Sequence, residues 1–156
     1  MSTIQTLKMH IIPFEIITIQ DNGYHLIIDV EIRDRIFKMV LDTGASKTVL
    51  DKQMLLKSGL SEDELISSSV LSSGLGTNEM QSHTLTLDTL KISTWEVKNI
   101  EVAVLDLSSI NFAYEQMDLA PVIGVLGNDV LYNYAAVIKY KSKTLRLNTK
   151  KIKVRY

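Results

Sequence analysis

The segment Val40-Leu41-Asp42-Thr43-Gly44-Ala45-Ser46 has residue types and spacing suited to acid–base chemistry. An apolar run delivers a carboxylate, and a hydroxyl, a glycine and two small residues follow at once. Burying an ionised Asp in such a setting is costly unless donors satisfy it. Gly44 permits a close backbone approach that turns N–H groups toward the carboxylate, and the Thr43 hydroxyl can both donate and accept. The plainer reading of these residues is a turn capped by a short polar side chain after a core strand. A second segment, Val122-Ile123-Gly124-Val125-Leu126-Gly127-Asn128-Asp129-Val130-Leu131, sets apolar residues before Gly127 and a polar pair after it, opening a short helix. Asp129 at the start of that helix reads as a cap that favours the helix dipole rather than as a second catalytic acid.

The elements that must hold these residues are mostly strands. Apolar residues recur with period two at Leu26, Ile28, Val30 and Ile32, and Ile36–Leu41 forms the apolar strand that ends at Asp42. The pair reads as a hairpin, although Arg33-Asp34-Arg35 lacks the glycine such turns favour. Thr84–Leu90 and Val97–Leu105 repeat the alternation, and Ala136–Tyr140 with Thr144–Leu147 reads as a last hairpin. Ile152, Val154 and Tyr156 alternate once more. Helices are expected over Asp51–Lys57, ended by Gly59, and over Asp129–Tyr134, with a weaker one over Ser108–Met117. Ser61 and Glu64 match a capping box that starts a turn through Ile66.

Composition narrows the chemistry further. The chain has 156 residues, 46% hydrophobic and 22% charged, which fits one folded domain and excludes a disordered polypeptide. It has no cysteine, so thiolate zinc sites, disulfides and cysteine nucleophiles are excluded. His10, His25 and His83 are its three histidines, none spaced for a metalloprotease helix, and neither a metal nor a cofactor is expected. No apolar run is long enough to span a bilayer, and Met1–Ile19 does not read as a signal peptide, so a cytoplasmic protein with no membrane partner is expected. The net charge of −1 hides an asymmetry. From Lys139 onward there are eight basic residues and no acidic one, so all 18 acidic side chains lie before it. Without interleaved aromatics or a motif, this tail reads as a complement to an acidic body, and nucleic acid is not the expected partner.

Together, the Asp42 segment and Val125-Leu126-Gly127-Asn128-Asp129 resemble the retropepsin-like aspartic proteases, the single-lobe relatives of retroviral proteases that include many bacterial members. The resemblance implies a mainly β, closed single-lobe barrel with a few short helices. It covers one domain over 1–156, with a core over about 12–148 and a basic strand or tail over 149–156. It also implies an aspartic endopeptidase acting on extended peptide as a homodimer, because no second Asp-Thr-Gly or Asp-Ser-Gly occurs. Asp42 and its symmetry mate would hold a water between them. Two such carboxylates cannot both ionise, so the pair shares a proton and titrates as a unit. Thr43 would lock to its mate, Gly44 would present its N–H to the carboxylates, and Ala45 would stand where pepsin-like lobes carry a serine donor. Activity is therefore expected at mildly acidic to near-neutral pH.

The family pattern also assigns Ser46 and Asn128 to places where retroviral enzymes pair an acid with an arginine. A neutral pair there is weaker than a charge-assisted one. Ser72–Met80 is the candidate flap, with Gly74 and Gly76 giving flexibility and Leu75 or Met80 excluding water; an ordinary surface loop is the alternative. Leu41, Val49, Leu75, Val104, Val125 and Leu126 are candidates for the pocket lining, several of them competing for the core. Trp95 reads as structural. Two other functions compete with a peptidase. One is a catalytically silent dimerisation or peptide-binding module with the same fold. The other is a glycosidase, which needs a second, differently tuned acid that nothing marks.

Overall fold

The computed structural model describes residues 8–19, 23–68 and 82–152. The alternating run after Gly23 forms β3 (Gly23–Ile32), which turns back as β4 (Arg35–Leu41) with Leu26 opposite Leu41 and Ile32 opposite Arg35. The two-residue turn works without glycine because Arg33 and Asp34 both take the left-handed conformation, at φ 52° and 65°. That pair of angles is what a hairpin turn matching the strand twist requires. Arg33 is then held by a two-pronged bond to Glu64, whose carboxylate also accepts from the Ser61 N–H in the expected capping box. Both contacts hold the Glu64 carboxyl below its usual range, the Ser61 N–H most of all. The short 3₁₀ turn ends at Glu64, and Ile66 already belongs to a strand.

The strands close on themselves. β4 pairs in parallel with β9 (Val122–Leu126), and β9 pairs antiparallel with β5 (Val49–Asp51). β5 runs parallel to β8 (Trp95–Leu105), β8 pairs along its length with β7 (Ser82–Ile92), and β7 returns to β3 through Glu31–Lys91 and Ile32–Leu90. This six-membered ring is extended at its margins by β2 (Glu15–Ile19) on β3 and β6 (Ile66–Ser68) on β7. A separate three-stranded sheet sets β11 (Thr144–Asn148) between β1 (Met9–Pro13) and β10 (Val137–Lys139). The mainly β expectation holds. Ile152 is described outside any strand, while Val154 and Tyr156 lie outside the described residues.

Inside the ring, Ile28, Val30, Ile32, Met39, Leu50, Val102, Val104, Ile123 and Leu126 form one buried cluster. Trp95 is fully buried there; its indole N–H donates to the Asn148 carbonyl at 3.0 Å and its ring packs edge-on against Tyr134. It is structural, as expected, and it ties the ring to the second sheet. His10 makes the same link, with one ring nitrogen 2.8 Å from the Thr94 hydroxyl and the other 2.9 Å from that of Thr149.

The helices follow their caps. Asp51 accepts from the Met54 N–H and so opens α1 (Lys52–Lys57) from the capping position rather than within the helix. Gly59, at φ +104°, ends it. α2 (Ser108–Gln116) lies on a second apolar cluster made by Ile27, Val40 and Val122 on the outer ring wall. Asn111 exchanges two bonds with the Val122 backbone, and the Tyr114 hydroxyl sits 2.6 Å from Nδ1 of His25. Burial pushes the Tyr114 hydroxyl up to about 12. α3 (Asn128–Leu131) is shorter than expected, giving way to turns before β10.

Two outcomes follow. Asp34→Gly relieves a left-handed non-glycine residue and should raise stability by about 0.5–1 kcal/mol, read from the urea midpoint. A raised Tyr114 pKa means the folded state holds its proton more tightly than the unfolded chain. That stability is complete below the ordinary tyrosine value of 10.0 and is lost as pH climbs toward about 12. Tyr114→Phe should flatten this alkaline loss in a pH series of thermal midpoints.

Candidate active site

β4 carries its apolar run straight into Asp42, whose N–H donates to the Leu126 carbonyl at 3.1 Å and so continues the β4–β9 pairing by one residue. The chain then turns. The Gly44 N–H donates to Oδ1 of Asp42 at 2.9 Å, as the sequence implied, and the Ala45 N–H reaches the Asp42 carbonyl at 3.3 Å. A Cβ on Gly44 would stand 3.2 Å from that carboxylate oxygen, a tight contact that the carboxylate would have to yield to. Asp42 is half-buried, while Thr43, Gly44 and Ser46 are exposed. The other carboxylate oxygen has no hydrogen-bond partner among the described residues. A carboxylate held at one oxygen and open at the other can accept a proton from a bound water.

The second motif grips this loop from below. At Gly127 a Cβ would lie 2.6 Å from the Lys47 carbonyl carbon and 2.9 Å from the Ala45 oxygen, so a side chain there would push the loop away. The Asn128 N–H donates to the Ala45 carbonyl at 2.8 Å, and its side-chain amide to the Thr43 carbonyl at 2.7 Å. Ser46 is not the partner of Asn128 in this arrangement; the amide reaches the backbone beside Asp42 instead.

Thr48 closes the contact, and nothing in the sequence singled it out. It is fully buried. Its hydroxyl accepts from the Gly127 N–H at 3.1 Å and donates to Asp129 Oδ1 at 2.7 Å, while its N–H lies 3.0 Å from both Asp129 oxygens. Asp129 also accepts from the Val130 N–H. Its place differs from the expected cap: Gly127 caps α3, and Asp129, the second residue of the helix, turns back to the Asp42 loop. The only hint was a threonine immediately before the apolar pair Val49-Leu50.

The remaining candidates divide. Val49 and Val125 are half-buried register partners, whereas Leu41, Val104 and Leu126 belong to the core rather than to a pocket wall. The flap candidates Gly74, Leu75, Gly76 and Met80 lie outside the described residues. Two larger cavities, of about 750 and 660 Å³, open elsewhere on the ring and include no residue of the Asp42 loop. Among the described residues no group of three or more His, Asp or Glu side chains is placed to hold a metal.

Residues 28–130 match the family model described as aspartyl protease. No curated protein matches the chain. Among solved structures, a retropepsin-like aspartic protease from Rickettsia conorii is similar over 92% of this chain and 93% of its own, with a TM-score of 0.57 at 23% identity. The retroviral protease-like domain of Ddi1 from Leishmania major gives 0.57 at 13% identity, covering 81% of this chain and 90% of that one. EIAV protease, solved with the inhibitor HBY-793, gives 0.54 at 21% identity over 79% and 99%. At these identities the likeness is one of fold.

The Thr48–Asp129 contact generates a stability test. Asp129→Ala leaves a buried hydroxyl and a buried N–H without their acceptor, so it should cost about 2–4 kcal/mol in urea unfolding. A loss within a few tenths of a kcal/mol would mean that the carboxylate is dispensable to the loop.

Proposed function

Because the chain belongs to the aspartyl protease family, we propose that it is an endopeptidase whose catalytic pair is Asp42 and the Asp42 of a second copy. The observation that carries this reading is the half-exposed Asp42 carboxylate, held at one oxygen by the Gly44 N–H on a loop that Gly127, Asn128 and Asp129 fix in place. The chain supplies one such acid, and a water-activating dyad needs two.

In the dyad, the two carboxylates share one proton across a gap of about 3 Å. The ionised member takes a proton from the water lodged between them as the water oxygen attacks the peptide carbonyl. The protonated member donates to the developing oxyanion. Collapse of the tetrahedral intermediate breaks the C–N bond, and a carboxyl proton passes to the leaving amine. Gly44 holds the geometry through its N–H, and Thr43, exposed on the same loop, would lock to its counterpart. The substrate is an extended peptide, gripped by backbone as an added strand.

A second reading has one observation behind it. Asn128, rather than an arginine, spans to the Asp42 loop, so the contact made there is a neutral one. A silent dimerisation or peptide-binding module would carry the same fold.

Sedimentation equilibrium should show a dimer at micromolar concentration, and a peptide library should be cleaved at mildly acidic to near-neutral pH. Asp42→Asn should lower kcat/KM at least about 10³-fold while leaving the dimer and its thermal midpoint in place. Equal peptide binding by both proteins with cleavage by neither would establish the silent module.

A further inference from the structure

The β1–β11–β10 sheet holds a charge that the rest of the chain does not. Lys139, Lys141 and Lys143 lie on the β10–β11 hairpin at one end, and Lys8, Lys150 and Lys151 at the other, where the Thr149 N–H donates to the Lys8 carbonyl. All six are exposed, and among the described residues none is in an ion pair. Glu15, the first acid after β1, is taken by Lys38. Between the two cationic ends the register sets Met9, Ile11 and Pro13 on one face, with Ile11 across from Arg146 and Val137. Met9 is 48% exposed and Ile11 57%, and Tyr140 at the hairpin is 62% exposed.

We propose that this face docks on an anionic lipid surface, its lysines against the headgroups and Met9 and Ile11 at the headgroup–acyl boundary. Aliphatic side chains standing among unpaired lysines suit that boundary. Met9 and Ile11 offer nothing to stack on a base and no hydrogen bond to a base edge, and Tyr140 alone does not make the row of rings that tracks a strand, which disfavours nucleic acid as the occupant. Tyr140 adds an aromatic ring with a polar tip, the side chain enriched at membrane–water interfaces. None of the three strands carries an acidic residue, so an anionic surface attracts this sheet in preference to the acid-bearing body. The inference is independent of the peptidase reading.

The test is co-sedimentation of the full chain with phosphatidylcholine vesicles, with and without about 30 mol % phosphatidylserine. Binding is expected on the anionic vesicles only and weakens in about 1 M salt. Lys139→Glu/Lys141→Glu/Lys143→Glu should weaken it at least about 100-fold, at roughly fivefold per lysine. The variant Lys8→Glu/Lys150→Glu/Lys151→Glu should do the same from the other end, with circular dichroism checking the fold of both. Ile11→Ser should weaken binding several-fold without altering its salt dependence. The proposal is overturned by absent or equal binding to both vesicles, or by folded charge variants that bind as wild type does. It is equally overturned by tighter binding to labelled single-stranded or duplex oligonucleotides than to vesicles, or by charge reversal that turns a dimer into a monomer.

Discussion

The arrangement of the site depends on one close approach, the backbone of Ala45 and Lys47 resting against Gly127 at a distance no side chain could share. That contact exists because β4 and β9 run parallel, so the chain leaving β4 at Asp42 and the chain leaving β9 at Gly127 emerge side by side. Parallel neighbours cannot be joined by a tight turn, and here the connection travels through β5, β7, β8 and α2 before it returns. The ring is therefore a precondition of the site. Its closure between β7 and β3 keeps β4 and β9 in register, and the register places the carboxylate.

The loop itself uses its polar atoms economically. Asn128 and Thr48 reach in from opposite sides, and Asp129 accepts from both the Thr48 hydroxyl and its N–H. A hydroxyl that accepts from one buried N–H and donates to a carboxylate leaves neither partner unsatisfied, which is the condition for placing polar groups in so dry a location. Asp42 stands outside this network except through Gly44. The chain thus has two carboxylates near one loop with separate duties: Asp129 is surrounded by donors and structural, and Asp42 is left open on one side. Environment, rather than residue type, distinguishes them.

Much of this was legible before any coordinates. The period-two runs marked β3, β7 and β8, the apolar run before Asp42 marked β4, and Ser61 with Glu64 and Asp51 before α1 are local signals that tertiary packing did not override. The turn at Arg33-Asp34 was readable in place but not in mechanism, since the sequence carries no glycine there to announce a left-handed pair, and the Glu64 contact on Arg33 comes from 31 residues away. β1, β2, β5 and β6 are short, and strands of three to five residues carry too few alternations to declare a period. At the site, the Gly44 N–H on Asp42 was readable because a glycine beside a carboxylate lets the backbone turn toward it, and Gly127 was marked by the family resemblance. Thr48 was not readable, because its role lies in a partner 81 residues away.

The same distinction separates the two faces that the fold leaves open. A folded chain buries an ionised group only with donors around it and leaves aliphatic side chains in water only where the remaining surface cannot cover them. Asp42, half-buried with one oxygen unmet, and Ile11, largely exposed between lysines, are each incomplete in the opposite chemical sense. The first is open to a donor at short range, which the proposed dyad would supply. The second needs apolar depth beneath a layer of negative charge, which another copy of a chain with its acids spread over the ring would supply poorly. The two openings sit on different sheets and answer to different chemistry, so filling one leaves the other available.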